Sequence, residues 1–144
     1  MRVIYSLLLY LLIPVILLRL LYRSIKNPGY RRRILERFGF FPSRPAADGI
    51  WVHAVSVGEA IAAVKLVKAL QRSHPGRELI VTCGTPTGSE IVRKQLGESV
   101  FHVYIPYDLP DSVRRFLKRC RPAVGIIMET ELWPNLFRQA SRME

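Results

Sequence analysis

The chain is poor in the residues on which many chemistries depend. Two cysteines, Cys83 and Cys120, in 144 residues form neither a CxxC pair nor a disulfide framework, so reduced thiols are expected and a disulfide-stapled scaffold is excluded. The three histidines, His53, His74 and His102, stand without metal-ligand spacing, and no protein-bound metal is expected. No GxGxxG turn and no Walker-type loop is present, which leaves a dinucleotide or P-loop site without support and no cofactor expected. Acidic residues are scarce too, 11 against 22 Lys and Arg, for a formal charge of +11. At this length the chain accommodates one domain of ordinary size and an appendage, not a two-domain enzyme.

Such an excess of positive charge invites a nucleic-acid reading, but its placement argues against one. Between residues 19 and 44 lie Arg19, Arg23, Lys26, Arg31, Arg32, Arg33, Arg37 and Arg44 against the single acid Glu36. This cluster directly follows an apolar run. Residues 3–18 are almost wholly apolar, interrupted by Ser6 and Pro14, and the run continues through Tyr22 if Arg19 snorkels. A helix of about 20 residues spans the roughly 30 Å of a bilayer core. The basic flank fits anionic lipid headgroups and, by the positive-inside rule, keeps residues 23–144 cytoplasmic. A helix lying in the membrane interface is the alternative. Residues 1–22 are thus expected to be a membrane-anchor helix, and residues 23–48 a basic juxtamembrane connector. In the connector, residues 30–38 suit a short amphipathic helix.

From residue 49 the pattern becomes an alternation of strands and helices. Strands are expected at 50–55, 79–83, 101–105 and 123–128, and helices at 59–72, 87–96 and 110–120, with a last one opening at Trp133-Pro134-Asn135. Thr87-Gly88-Ser89-Glu90 has the capping-box spacing. The fourth strand reads as an apolar run of the kind buried on both faces of a parallel sheet. Short right-handed β-α connections predict a Rossmann-like parallel sheet in the order 3-2-1-4. Because the sheet would end on an apolar edge strand, residues 49–144 are expected to be the N-terminal part of a longer protein.

In that order strands 1 and 4 are neighbours whose connections leave in opposite directions, and open α/β sheets bind ligands at such a crevice. Two loops border it, Ser56-Val57-Gly58-Glu59 and Glu129-Thr130-Glu131-Leu132-Trp133-Pro134-Asn135. Three carboxylates, Glu59, Glu129 and Glu131, converge there. Gly58 admits a ligand close to the backbone, and a carboxylate at this place can act as general base toward a hydroxyl. Glu59 is equally explained as a helix-start acid favoured by the helix dipole. Glu129, directly after a buried strand, is costly unless paired or used. Glu131 can partner it or cap backbone. Thr85, Thr87, Gly88 and Ser89 form a hydroxyl-rich turn at the same edge, suited to a sugar or phosphate or else to ordinary helix capping. Tyr107-Asp108 suits capping.

Four ordered motifs, His53-Ala54-Val55-Ser56-Val57-Gly58-Glu59, Thr85-Pro86-Thr87-Gly88-Ser89-Glu90, Tyr104-Ile105-Pro106-Tyr107-Asp108-Leu109-Pro110 and Met128-Glu129-Thr130-Glu131-Leu132-Trp133-Pro134-Asn135, closely resemble the Kdo (3-deoxy-D-manno-octulosonic acid) transferases of Gram-negative bacteria. The resemblance implies a membrane-anchored, inverting glycosyltransferase of GT-B fold. Such an enzyme moves Kdo from CMP-Kdo to the lipid A precursor on the cytoplasmic face of the inner membrane. It also implies that Glu59 is the general base and that Glu129 is a second acid tied to the transition state; Ser56, Gly58, Thr85, Thr87, Gly88, Ser89 and Glu131, at the same crevice, are expected toward substrate. The CMP-Kdo site is then expected beyond residue 144, and the chain alone is expected to be an inactive fragment. A non-catalytic, membrane-anchored α/β module that binds an anionic lipid or a partner domain is the competing expectation.

Overall fold

A computed structural model describes residues 2–42, 47–129, 131 and 133–142. Thr130, Leu132 and Arg44, which belong to the crevice loop and the basic cluster, lie outside the described residues. The chain divides into two compact units, one of Met1–Phe40, Pro106–Leu117 and Leu132–Glu144, the other of Phe41–Ile105 and Lys118–Glu131.

The second unit carries the sheet. Its strands are β1 (Gly49–Ala54), β2 (Leu79–Cys83), β3 (Phe101–Tyr104) and β4 (Pro122–Ile127), all parallel, in the order β3-β2-β1-β4. This is the order the connections predict. Two helices, α2 (Val57–Ser73) and α3 (Pro86–Leu96), supply apolar positions to one core. Val52 and Ala54 from β1, Val81 and Cys83 from β2, Ala63 and Val67 from α2 and Val92 from α3 are wholly buried in it. Small residues along α2 let it lie close to the sheet, and full burial of each Val contributes about 1.5–3 kcal/mol.

The opposite side chains of β1 include two large groups set by period-2 alternation, Trp51 and His53. Trp51 donates from Nε1 to the Thr82 hydroxyl at 2.8 Å. Its ring lies over Gly125 of β4, where an added Cβ would come within 2.8 Å of the indole. Glycine is therefore the residue that lets the indole lie across this strand. The expectation that β4 is buried on both faces is corrected: its residues are half-buried or exposed, Val124 being 50% exposed. β4 is an edge strand paired only with β1 among the described residues, so it lacks the second neighbour that its apolar composition suggests.

The first unit contains α1 (Arg2–Lys26), most of α4 (Pro110–Cys120) and α5 (Pro134–Ala140). The helix expected at 30–38 is corrected to two short 3-10 turns, Pro28–Tyr30 and Ile34–Phe38. Arg33 between them has φ +58°, and Gly39 ends the second in the same left-handed region. These positive φ values break a continuous helix. Asp108 caps at a distance: its carboxylate accepts from the amides of Asn135 at 3.0 Å and Leu136 at 2.8 Å, and from the Tyr5 hydroxyl at 3.1 Å. It thereby satisfies free donors at the start of α5 instead of those of the adjacent α4. Burial pushes its pKa up, against these hydrogen bonds.

Candidate active site

The turn between β1 and α2 shows why Glu59 sits where it does. Ser56 is extended, with φ −91° and ψ 170°, and its Oγ accepts from the Glu59 amide at 3.2 Å. The Glu59 carboxylate reaches back to accept from the Val55 amide at 2.8 Å, the Ser56 amide at 3.2 Å and the Ser56 hydroxyl at 2.5 Å. This is a reciprocal capping box. It anchors the carboxylate at the carboxyl end of β1, and a half-buried side chain held by three donors has a defined orientation.

Next to it lies Glu129, just past the end of β4, exposed and hydrogen-bonded to Glu59. That hydrogen bond and the charge of Glu59 hold the Glu129 pKa above the usual carboxylate range. Glu59 goes the other way. Burial pushes it up, but the donors from Ser56, Val55 and Glu129 outweigh burial and leave its pKa below the ordinary value. Two carboxyl groups this close influence each other's titration, which then belongs to the pair. The cost expected for an acid buried at the end of β4 does not arise, because β4 is at the edge and Glu129 is exposed.

His53, only 1% exposed, lies beneath these acids on β1. Its Nδ1 is 2.8 Å from the Thr82 hydroxyl and 3.2 Å from the Thr82 carbonyl, and its Nε2 is 3.5 Å from a carboxylate oxygen of Glu131. Burial lowers its pKa against the pull of Glu131 and Glu59. The ring is thus a neutral, oriented polar group that fixes the side from which Glu131 approaches. Sequence reasoning singled out His53 only as part of a motif. The available signal was its place on a strand otherwise made of apolar and small residues, where a polar side chain needs a partner.

The predicted turn after β2 divides. Its helix cap is Thr85, not Thr87: the Thr85 hydroxyl accepts from the Gly88 amide at 3.2 Å and donates to the Val55 carbonyl at 3.3 Å. The Thr87–Glu90 capping box expected from spacing is therefore corrected. Pro86 occupies the first helical position, where its fixed φ and missing N–H cost nothing, and this moves the cap one residue upstream of it. Ser89 is buried and shares a 2.7 Å hydrogen bond with His102 Nε2. His102 Nδ1 faces the Val81 carbonyl at 2.8 Å and must donate to it; in the matching tautomer Nε2 accepts the Ser89 proton. Gly88 is buried as well, while Thr87 is exposed. Gly58 meets nothing within 4 Å of an added Cβ. The open space left there suits a ligand close to the backbone. The structure thus gathers Ser56, Gly58, Glu59, Glu129 and Glu131 around one sheet edge, keeps Thr85 and Thr87 at the adjoining turn, and turns Ser89 inward.

A sequence profile described as 3-deoxy-D-manno-octulosonic-acid transferase (kdotransferase) matches residues 32–144. Curated relatives include a 3-deoxy-D-manno-octulosonic acid transferase of Haemophilus influenzae, 49% identical over 140 residues, or 96% of this chain and 33% of the relative. A transferase of the same name from Bordetella pertussis is 40% identical over 112 residues, 72% of this chain and 26% of the relative. A probable mitochondrial 3-deoxy-D-manno-octulosonic acid transferase of Arabidopsis thaliana is 38% identical over 130 residues, 89% of this chain and 29% of the relative. The chain spans about a third or less of the length of these relatives. Matched over most of its residues by that profile, and carrying its carboxylate pair on the sheet edge that such α/β folds use for ligands, the chain belongs to the Kdo transferase family.

Proposed function

We propose that this chain is an acceptor-side portion of an inverting glycosyltransferase that transfers Kdo from CMP-Kdo to the lipid A precursor. The observation that carries the reading is the Glu59–Glu129 carboxyl pair, with Glu59 driven down and Glu129 driven up. At neutral pH Glu59 is ionised and held by the Ser56 cap, with carboxylate oxygens able to accept the proton of an acceptor hydroxyl. The hydroxyl oxygen attacks the anomeric carbon of Kdo, the bond to CMP breaks, and the proton passes to Glu59. Glu129, whose pKa stands above the usual carboxylate range because of its neighbour Glu59, is the second acid of the site.

The donor site is assigned to the part of the relatives that this chain does not cover, so CMP-Kdo is bound by a longer protein. α1 holds the unit at the cytoplasmic face of the inner membrane, where the lipid acceptor is. Val3–Lys26, whose 18-residue window reaches a mean hydropathy of 2.4, is long and apolar enough to cross a membrane and supports attachment there. The test is Kdo transfer from CMP-Kdo to a lipid A precursor, measured for the 144-residue chain beside a version extended by the region encoded downstream. Transfer is expected only from the extended protein and is expected to be lost on Glu59→Gln. An extended protein that transfers no Kdo sinks the reading.

A further inference from the structure

α1 has two faces that differ in what they meet. Leu7, Leu11, Val15, Leu18 and Ile25 fall on one side of the helix and are 58–78% exposed. On the opposite side Leu9, Ile13 and Ile16 line a small apolar cavity with Phe38, Tyr107 and Leu109, and Leu20 is 7% exposed. Three hydroxyl-bearing residues near the N-terminus of α1 reach polar partners within the same unit. Tyr5 donates to Asp108, Ser6 shares hydrogen bonds with the Asn135 amide group at 3.2–3.3 Å, and Tyr10 donates to Asp111.

These contacts run from Tyr5 to Leu20, most of the helix. A helix that left its unit to cross a bilayer would strip Asp108 and Asn135 of these partners. It would also carry Tyr5, Ser6 and Tyr10 to the far end of the span. The charges agree with the docked arrangement. Arg23, Lys26, Arg31 and Arg32 are exposed at or just beyond the C-terminal end of α1. At its other end a cleft of about 430 Å³ between α1, α4 and α5 is bordered by Arg114, Arg138 and Arg142; Asp111, the acid on its border among the described residues, is bonded to Arg115 at 2.8 Å. Arg114, Arg138 and Arg142 belong to α4 and to α5 with the turn after it, and lie beside the N-terminal end of α1 only while that helix is docked. With the docked helix flat, they and the C-terminal cluster face one headgroup layer.

Building on the membrane attachment proposed above, we infer that α1 lies in the plane of the membrane surface. Its outward apolar face is sunk at the headgroup and acyl boundary, its inward face is latched to α4 and α5, and the flanking arginines meet anionic headgroups. The occupant of the exposed face is thus one leaflet of an anionic bilayer.

The test uses the full chain in inner-membrane vesicles of a Gram-negative host. One single-site version carries a cysteine placed ahead of residue 1, and a second carries Lys65→Cys on the exposed side of α2. Cys83 and Cys120 are wholly buried and stay silent. A membrane-impermeant maleimide is expected to label both added cysteines in inverted vesicles and neither in intact spheroplasts. Labelling of the N-terminal cysteine from the side opposite to Lys65→Cys overturns the in-plane helix while leaving membrane attachment standing. Recovery of the chain in the supernatant, without binding to vesicles containing anionic lipid, overturns the attachment and this inference together. A spin label at Leu11→Cys adds a depth reading. About 5–10 Å below the headgroups is expected, and a label at the bilayer centre speaks for a crossing helix.

Discussion

The corners after β1 and β2 are built alike and end up differently. Each is a strand, an extended residue with a hydroxyl, and a helix whose third residue donates its amide to that hydroxyl. The distance is 3.2 Å from the Glu59 amide to Ser56 and 3.2 Å from the Gly88 amide to Thr85. The difference lies in that third residue. Glutamate at the first corner brings a carboxylate that closes the cap reciprocally and still has oxygen capacity for Glu129. Glycine at the second brings nothing; Thr85 is spent on the Val55 carbonyl and Ser89 on His102, and what is left there is the exposed hydroxyl of Thr87, which donates to Thr85. Capping geometry is generic to helix starts. A reactive corner needs in addition a side chain whose hydrogen-bonding capacity the fold does not exhaust.

The comparison breaks most sharply at Glu59. Glutamine keeps one acceptor of the capping box, so Glu59→Gln in the extended enzyme is expected to lower the thermal midpoint only modestly and lower kcat by about 10²–10⁴-fold. Turnover within a few-fold of the parent would return Glu59 to a purely structural role. At the other corner the effect should fall on stability. Ser89→Ala removes the proton donated to His102 and is expected to cost about 1–3 kcal/mol, read as a lower denaturation midpoint, with no change in transfer. A loss of transfer at full stability would bring Ser89 back toward substrate.

A finer contrast comes from the caps. Ser56→Ala and Thr85→Ala should each cost roughly 1 kcal/mol in denaturant titrations, but only the first should alter pH behaviour. Glu59 is held below its ordinary pKa, so its contribution to folding is present above that ordinary value and is lost as pH falls through the folded value. Removing the Ser56 hydroxyl withdraws one of the donors responsible, and the acid limb of the transfer profile should move to higher pH. Equal profiles for the two variants would erase the distinction. The smallest expected change is in Glu129. With Glu59→Gln its neighbour's charge is gone, and carboxyl NMR should show the Glu129 pKa falling back toward the usual range.

Much of this was legible in residue order. Apolar runs, prolines at helix starts and turn residues place every strand and long helix of the sheet unit within a few residues, and the crossover rules supply the order that sets β4 beside β1. The capping-box spacing is less reliable, because it stands at two helix starts of the sheet unit, Ser56–Glu59 and Thr87–Glu90. Only the first is formed; Pro86 moves the second helix's cap to Thr85. Local spacing does not show which hydroxyl meets the first free amide. Ser89 shows a different limit: its partner His102 is 13 residues away on the neighbouring strand of β2, and no short-range pattern records that.

The sequence by itself determined the family, the alternation of strands and helices and the identity of the acids, because period, capping and motif are properties of neighbouring residues. Only the tertiary structure decided how those acids behave. Glu59 and Glu129 are 70 positions apart in the sequence and become one titrating pair because β1 and β4 are adjacent. The exposure of β4, and with it the exposed setting of Glu129, comes from its place at the sheet edge. Composition is blind to that place, since an apolar strand reads the same whether it has one neighbour or two.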